Sequence, residues 1–132
     1  MAQMQRYVIP KWALQMLNNA YEIEQKLLLH GDTGNAQRNV ERIKDIFLAG
    51  NIFSIYGGDA DDKAGLFYEN PLGQVFNETR TDLEVSISGE STENLLVVEV
   101  SKPIIRYGTA ARSQVVQKGI VVVKSNSDEK TL

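Results

Sequence analysis

The chain has 132 residues, 42% of them apolar and 23% charged, with a net charge of −3 and no cysteine. This suits one domain, or one domain with a helical appendage, and excludes disulfides, thiol catalysis and a thiolate metal site. The acidic balance argues against nucleic acid, whose phosphates need a basic field; no apolar run approaches the roughly 18 residues of a membrane span and no basic start leads into an apolar leader, so the expectation is a cytoplasmic protein.

After Pro10, residues 11–29 (KWALQMLNNAYEIEQKLLL) contain neither Gly nor Pro. Proline suits the start of a helix, where its missing N–H costs nothing. Trp12, Met16, Ile23 and Leu27 recur at helical spacing, and Leu14, Leu17, Tyr21 and Leu28 form a second stripe beside them. That arc is wider than one buried face requires, so the helix is expected to pack on two neighbours, in this chain or in a second copy. Residues 35–49 (NAQRNVERIKDIFLA) repeat the signal, with Ala36, Val40, Ile43 and Phe47 on one stripe and Ile46 adjacent. Gly50 is a natural residue to follow the helix end. The intervening HGDTG has the length of an antiparallel helix–helix connection. An αα-hairpin over residues 1–50 follows.

Beyond Gly50 the pattern changes. Gly57, Gly58, Gly65, Pro71 and Gly73 punctuate short apolar pieces, Ile52 to Tyr56 and Leu66 to Tyr68. In LEVSIS, Leu83, Val85 and Ile87 alternate with polar residues, the period of a half-buried strand. GESTEN reads as a polar turn, LLVVEV as a strand that PIIRY continues past Pro103, and QVVQKGIVVVK as one last strand with Gly119 at a bulge. The expected fold class is α+β: an N-terminal αα-hairpin, then a small, mostly antiparallel β domain over residues 51–125, then a polar tail over 126–132.

Four stretches invite a chemical reading. HGDTGN, residues 30–35, holds DTG, the triplet of aspartic proteases. Their chemistry needs two carboxylates sharing a proton on strand-to-turn loops, whereas Asp32 falls between two helices. Gly31 as a helix stop and Asp32 or Thr33 as the cap of the second helix explain it better. GGDADDK, residues 57–63, departs from a calcium loop at its fifth, sixth and twelfth positions, which are Lys63, Ala64 and Asn70. His30, the only histidine, stands where its charged form favours a helix C-terminus. In NETRTDLE, Glu78, Arg80, Asp82 and Glu84 sit two apart; on a strand they would share one face, as a recognition surface or as a solvated ion-pair ladder. No catalytic residue, metal ligand or cofactor site is assigned, and no phosphate loop with a Gly-Lys-Ser/Thr ending is present.

The order of elements carries a resemblance. VERIKDIFLAG (residues 40–50), Gly73-Gln74-Val75-Phe76-Asn77, and either VVEVSKPII (97–105) or VVQKGIVVV (115–123) are similar to successive segments of the GrpE family, the nucleotide exchange factors of DnaK-type chaperones. Glu78 follows Asn77 where that family has proline. The resemblance runs over about residues 8 to 123. It implies a helix pair that dimerises as half of a four-helix bundle and a β domain that meets a partner protein.

The expected protein is therefore a non-enzymatic interaction module and a homodimer, with a GrpE-like co-chaperone role as its sharpest form. Trp12, Met16, Leu17, Ile23, Leu27, Val40, Ile43 and Phe47 are the dimer-interface candidates. Glu78, Arg80, Asp82 and Arg106 are the partner-binding candidates. The alternatives are a small ligand-binding protein or enzyme that uses the β-domain carboxylates, and a structural subunit of a larger assembly.

Overall fold

A computed structural model of the protein describes residues 9–32, 34–48, 65–109 and 111–126. The expected break at Gly50, the apolar piece from Ile52 to Tyr56, the acidic run at 57–63, Thr33 and the tail from 127 onward lie outside the described residues. The fold is α+β: among the described residues, two helices are followed by two three-stranded sheets. Among the described residues no helix is long and apolar enough to cross a membrane. The chain divides into two compact units, Met1–Phe67 with Tyr107–Gln114, and Tyr68–Arg106 with Val115–Leu132.

In the first unit, α1 is Lys11–His30 and α2 is Ala36–Leu48. Pro10 starts α1 at φ −60°, and its carbonyl accepts the Ala13 N–H at 3.0 Å. The helix stops at Gly31, whose φ of 84° lies in the left-handed region that a Cβ disfavours. Its N–H donates back to the Leu27 carbonyl at 2.9 Å. The Asp32 carboxylate then accepts from the first-turn amides of α2, Ala36 N at 2.7 Å and Gln37 N at 2.9 Å. A helix start leaves such amides without partners inside the helix, and a carboxylate there also meets the positive end of the dipole. These amides, Gln37 first, hold the Asp32 carboxyl below the usual carboxylate range.

The helices run antiparallel: the Trp12 and Phe47 rings meet with centroids 6.4 Å apart, and Gln37 Nε2 reaches Glu24 Oε2 at 2.8 Å. Lys44 Nζ lies 3.6 Å from that Glu24 oxygen and 3.5 Å from Glu41 Oε1. Ala13, Leu17, Ala20 and Tyr21 of α1 are buried, as are Val40 and Phe47 of α2. The second apolar stripe of α1 is thus the one turned inward over Leu17 and Tyr21.

The second unit holds a sheet of β2 (Leu83–Ser88), β6 (Gly119–Ser125) and β3 (Leu95–Lys102) in that order. Central β6 runs parallel to β2 and antiparallel to β3. Its buried positions, Gly119, Val121, Val123 and Ser125, follow the period of two that puts alternate side chains on one face. Registers Leu83↔Gly119, Val85↔Val121 and Ile87↔Val123 set the β2 side chains on that same face. The core is Leu83, Leu95, Val97, Ile104, Val121 and Val123, with Phe76, Val85, Val100 and Val115 packed against it. The other sheet is ordered β1 (Gly65–Glu69), β4 (Ile104–Gly108), β5 (Ser113–Gln117).

Two expected continuous strands are in fact pairs of strands in different sheets. Pro103 parts β3 from β4, and Lys118 parts β5 from β6. Proline has no N–H for a ladder, so the strand ends there. Gly119 is the first residue of β6, opposite Leu83, rather than a bulge. A Cβ at Gly119 would meet Ile104 Cγ1 at 2.9 Å and Leu83 Cδ2 at 3.0 Å, so the chain turns where only glycine passes freely. Gln117 Nε2 donates to the Pro103 carbonyl at 3.0 Å and joins the two corners.

The cap gives a prediction. Asp32→Ala should lower the thermal midpoint of the helical signal in circular dichroism, and Asp32→Asn should recover most of the loss. Because the folded pKa of Asp32 is depressed, its contribution is present above the unfolded pKa and disappears as pH falls through the folded value. The gap between wild type and Asp32→Ala should therefore close in acid.

Candidate functional site

NETRTDLE lies mostly outside any strand, with a turn at Glu78 and Thr79, so the common face that a strand over 78–84 would give does not form; β2 begins only at Leu83. The cause is Asn77, whose Oδ1 accepts both the Thr79 N–H, at 3.0 Å, and the Thr79 hydroxyl. The Arg80 N–H closes the turn on the Asn77 carbonyl at 3.1 Å. A side chain that mimics a backbone turn in this way competes with strand pairing.

The turn nevertheless brings three of the four partner-binding candidates together. Arg80 grips Asp82 with a fork, Nε to Oδ1 at 3.0 Å and Nη2 to Oδ2 at 2.9 Å. Arg106, on β4, donates from Nη2 to the same Oδ2 at 3.0 Å and from Nε to Glu69 Oε1 at 3.1 Å. Gln74 Nε2 completes Glu69 at its other oxygen, at 3.1 Å, and Arg80 Nη1 donates to the Val75 carbonyl at 3.1 Å. Two guanidinium groups thus face two carboxylates, mostly shielded from water, with no net charge left over. Glu78 takes no part and is exposed.

The electrostatics follow the geometry. The Arg80 fork, with Arg106 adding to it, holds the Asp82 carboxyl below the usual range against the opposing effect of burial. Asp82 in turn raises the Arg80 guanidinium above its ordinary value. A general acid or base at neutral pH needs a carboxyl shifted upward; Asp82 is shifted the other way. The arrangement suits a clamp that fixes residues 74–82 to β1 and β4. Among the described residues, no group of three or more His, Asp or Glu is placed to hold a metal ion.

Of the dimer-interface candidates, Leu17, Val40 and Phe47 are buried and Leu27 and Ile43 half-buried. Trp12, Met16 and Ile23 are 49%, 47% and 42% exposed. Ile46 and Leu48 of α2 are exposed as well. A further feature lies in the second unit, an open cleft of about 440 Å³ lined by Val75, Phe76, Ile87 and Leu95 with Asn77, Glu78, Thr92 and Asn94.

Sequence reasoning missed Glu69 and Gln74 in the clamp and Val75 and Ile87 in the cleft. Glu69 stands 37 residues from Arg106, and no local spacing signals such a pairing. Ile87 carried a signal, as the last apolar position of an alternating strand. No family model matches the chain, and no curated protein or solved structure matches it.

Replacing Asp82 by Asn leaves two arginines facing one carboxylate. The expected cost is about 1–2 kcal/mol in urea unfolding at pH 7, on the scale of partly shielded charge-assisted hydrogen bonds. The folded pKa of Asp82 is depressed, so its stabilisation is complete above the unfolded value and lost as pH falls through the folded one. Wild type should therefore lose stability more steeply in acid than Asp82→Asn.

Proposed function

We propose that the protein is a non-enzymatic, cytoplasmic protein–protein interaction module that acts as a homodimer through its helical hairpin. The observation that carries this reading is the exposed stripe Trp12, Met16 and Ile23 on α1. With Asn19 between them, these residues are spaced four, three and four apart, the alternation of a coiled-coil seam. Exposed aromatic and long aliphatic side chains in a row mark an interaction surface rather than scattered surface apolars. A second copy of the stripe is its simplest apolar complement, because a two-fold interface uses the same patch twice. The engaged state of Asp82 and Glu69 supports the non-enzymatic part, since both carboxylates are committed to arginines.

A GrpE-like co-chaperone role remains the sharpest version of the proposal, resting on the helix-pair-then-β order and the segment Gly73 to Asn77. Its test is nucleotide release from a DnaK-type chaperone. Acceleration by the protein supports this version, and an unchanged rate removes it while leaving the interaction module standing.

Light scattering after size exclusion should give twice the chain mass for wild type. Ile23→Glu places a charge in the seam and should weaken association at least tenfold, giving the monomer mass at micromolar concentration. A monomeric wild type contradicts the dimer. An open-ended polymer favours instead a structural subunit of a larger assembly.

A further inference from the structure

The core face of the β2-β6-β3 sheet continues beyond the part that the described residues cover. Along β2, Leu83 is buried, Val85 is half-buried and Ile87 is 46% exposed, although its register partner Val123 is fully buried. Val75, on the segment that bonds to the outer edge of β3, is 61% exposed. With Phe76 and Leu95 these two residues line the open cleft. We propose that this cleft docks an extended segment of a partner protein that inserts a large apolar side chain between basic neighbours. The inference rests on the interaction-module reading and names the kind of partner that the second unit would take.

Size and chemistry point to that occupant. A volume of about 440 Å³ falls within the roughly 300–1,000 Å³ of ligand pockets. The polar rim residues Asn77, Glu78, Thr92 and Asn94 differ from a small-molecule site, because all four are exposed instead of converging in a buried interior. Covering Val75 and Ile87 removes apolar surface from water, the main driving force of docking. The charged residue on the rim and those of the adjoining 89–94 loop are acidic. Glu78 is on the rim, and Glu90 and Glu93 lie in the loop that also bears Thr92 and Asn94. Among the described residues, the ion pairs of this unit are those of Arg80 and Arg106 with Asp82 and Glu69, and Glu78, Glu90 and Glu93 are not in them. Arg80, which reaches the Val75 carbonyl, is already bound to Asp82. Charges of one sign around an apolar centre select a partner of the opposite sign and speed its encounter.

The test uses three fluorescein-labelled peptides, GKKIKKG, GKKSKKG and GEEIEEG, titrated with the full chain by fluorescence anisotropy in low salt. The isoleucine–lysine peptide should bind at least tenfold more tightly than either of the others. Glu78→Lys and Ile87→Ser should each weaken it at least tenfold; Glu78 is exposed, so its variant should keep the wild-type melting temperature, and the Ile87→Ser variant should still unfold cooperatively above the assay temperature. Equal binding of the isoleucine and serine peptides would reduce the effect to net charge and overturn the proposal. So would undetectable binding, or an Ile87→Ser variant that binds as wild type does. Dissociation of the dimer by Ile87→Ser would assign the cleft to a second copy and equally overturn it. Mass measured on the same samples separates the two readings: a dimer that does not discriminate the peptides removes this inference alone, and a monomer that discriminates them removes the helical dimer alone.

Discussion

The Asp82 carboxylate, shared by Arg80 and Arg106, is the contact on which the second unit depends. It stands one residue before β2, and its backbone carbonyl also accepts the Gly119 N–H that opens β6, at 3.0 Å. One residue therefore joins the 77–80 turn, β4 through Arg106, and the start of the central strand. Truncating it would leave guanidinium groups without their counter-charge in a poorly hydrated place, which costs more than the pair gains over water. That asymmetry fixes the segment carrying Val75 and Phe76. The clamp thus adds to the backbone bonds that residues 73–76 make with β3 in holding one side of the cleft, although no clamp residue lines the cleft.

The polar and apolar features divide the work. Charged groups of the clamp neutralise one another, and between the helices Glu24 and Glu41 share one cation, Lys44, and the amide of Gln37. Among the described residues, most of the large apolar side chains left in water are on α1, at the end of α2 and at the cleft, with Leu72, Val98 and Ile120 standing apart from these groups. Apolar surface is ordinary on any protein; a row at seam spacing and a cleft continuous with the core are not scattered surface. That distribution is what the proposed interaction role rests on.

Local features were legible in the sequence, and non-local ones were not. Both helices lie within one residue of the spans read from their 3.6-residue periodicity, and Gly31 and Asp32 stop and cap them because a tight turn admits few residue types. Alternation located β2, and the apolar runs LLVVEV and GIVVVK located β3 and β6, but neither signal carries information on where a strand leaves one sheet for another. Pro103 and Gly119 marked both corners, and their meaning depended on Ile104 and Leu83, which only the folded chain brings near. The parallel pairing of β2 with β6 and the Glu69–Arg106 contact have the same character. At the candidate site, Arg80, Asp82 and Arg106 were chosen for their charge and do meet. They meet as a closed network, because Glu69 and Gln74 supply partners that spacing could not reveal. The spread of the apolar arc on α1 was readable as well, since helical geometry alone sets which residues exceed one buried face.

Trp12 is the only tryptophan of the chain and lies on the exposed stripe of α1, so its fluorescence reports on self-association directly. Ile23 is eleven residues further along the helix, a rise of about 16 Å, too far for Ile23→Glu to alter the Trp12 environment within one chain. The decisive measurement compares the Trp12 emission maximum of wild type and Ile23→Glu at the same micromolar concentration. Burial against a second copy predicts a red shift in the variant towards fully hydrated tryptophan. Superimposable spectra would contradict the account.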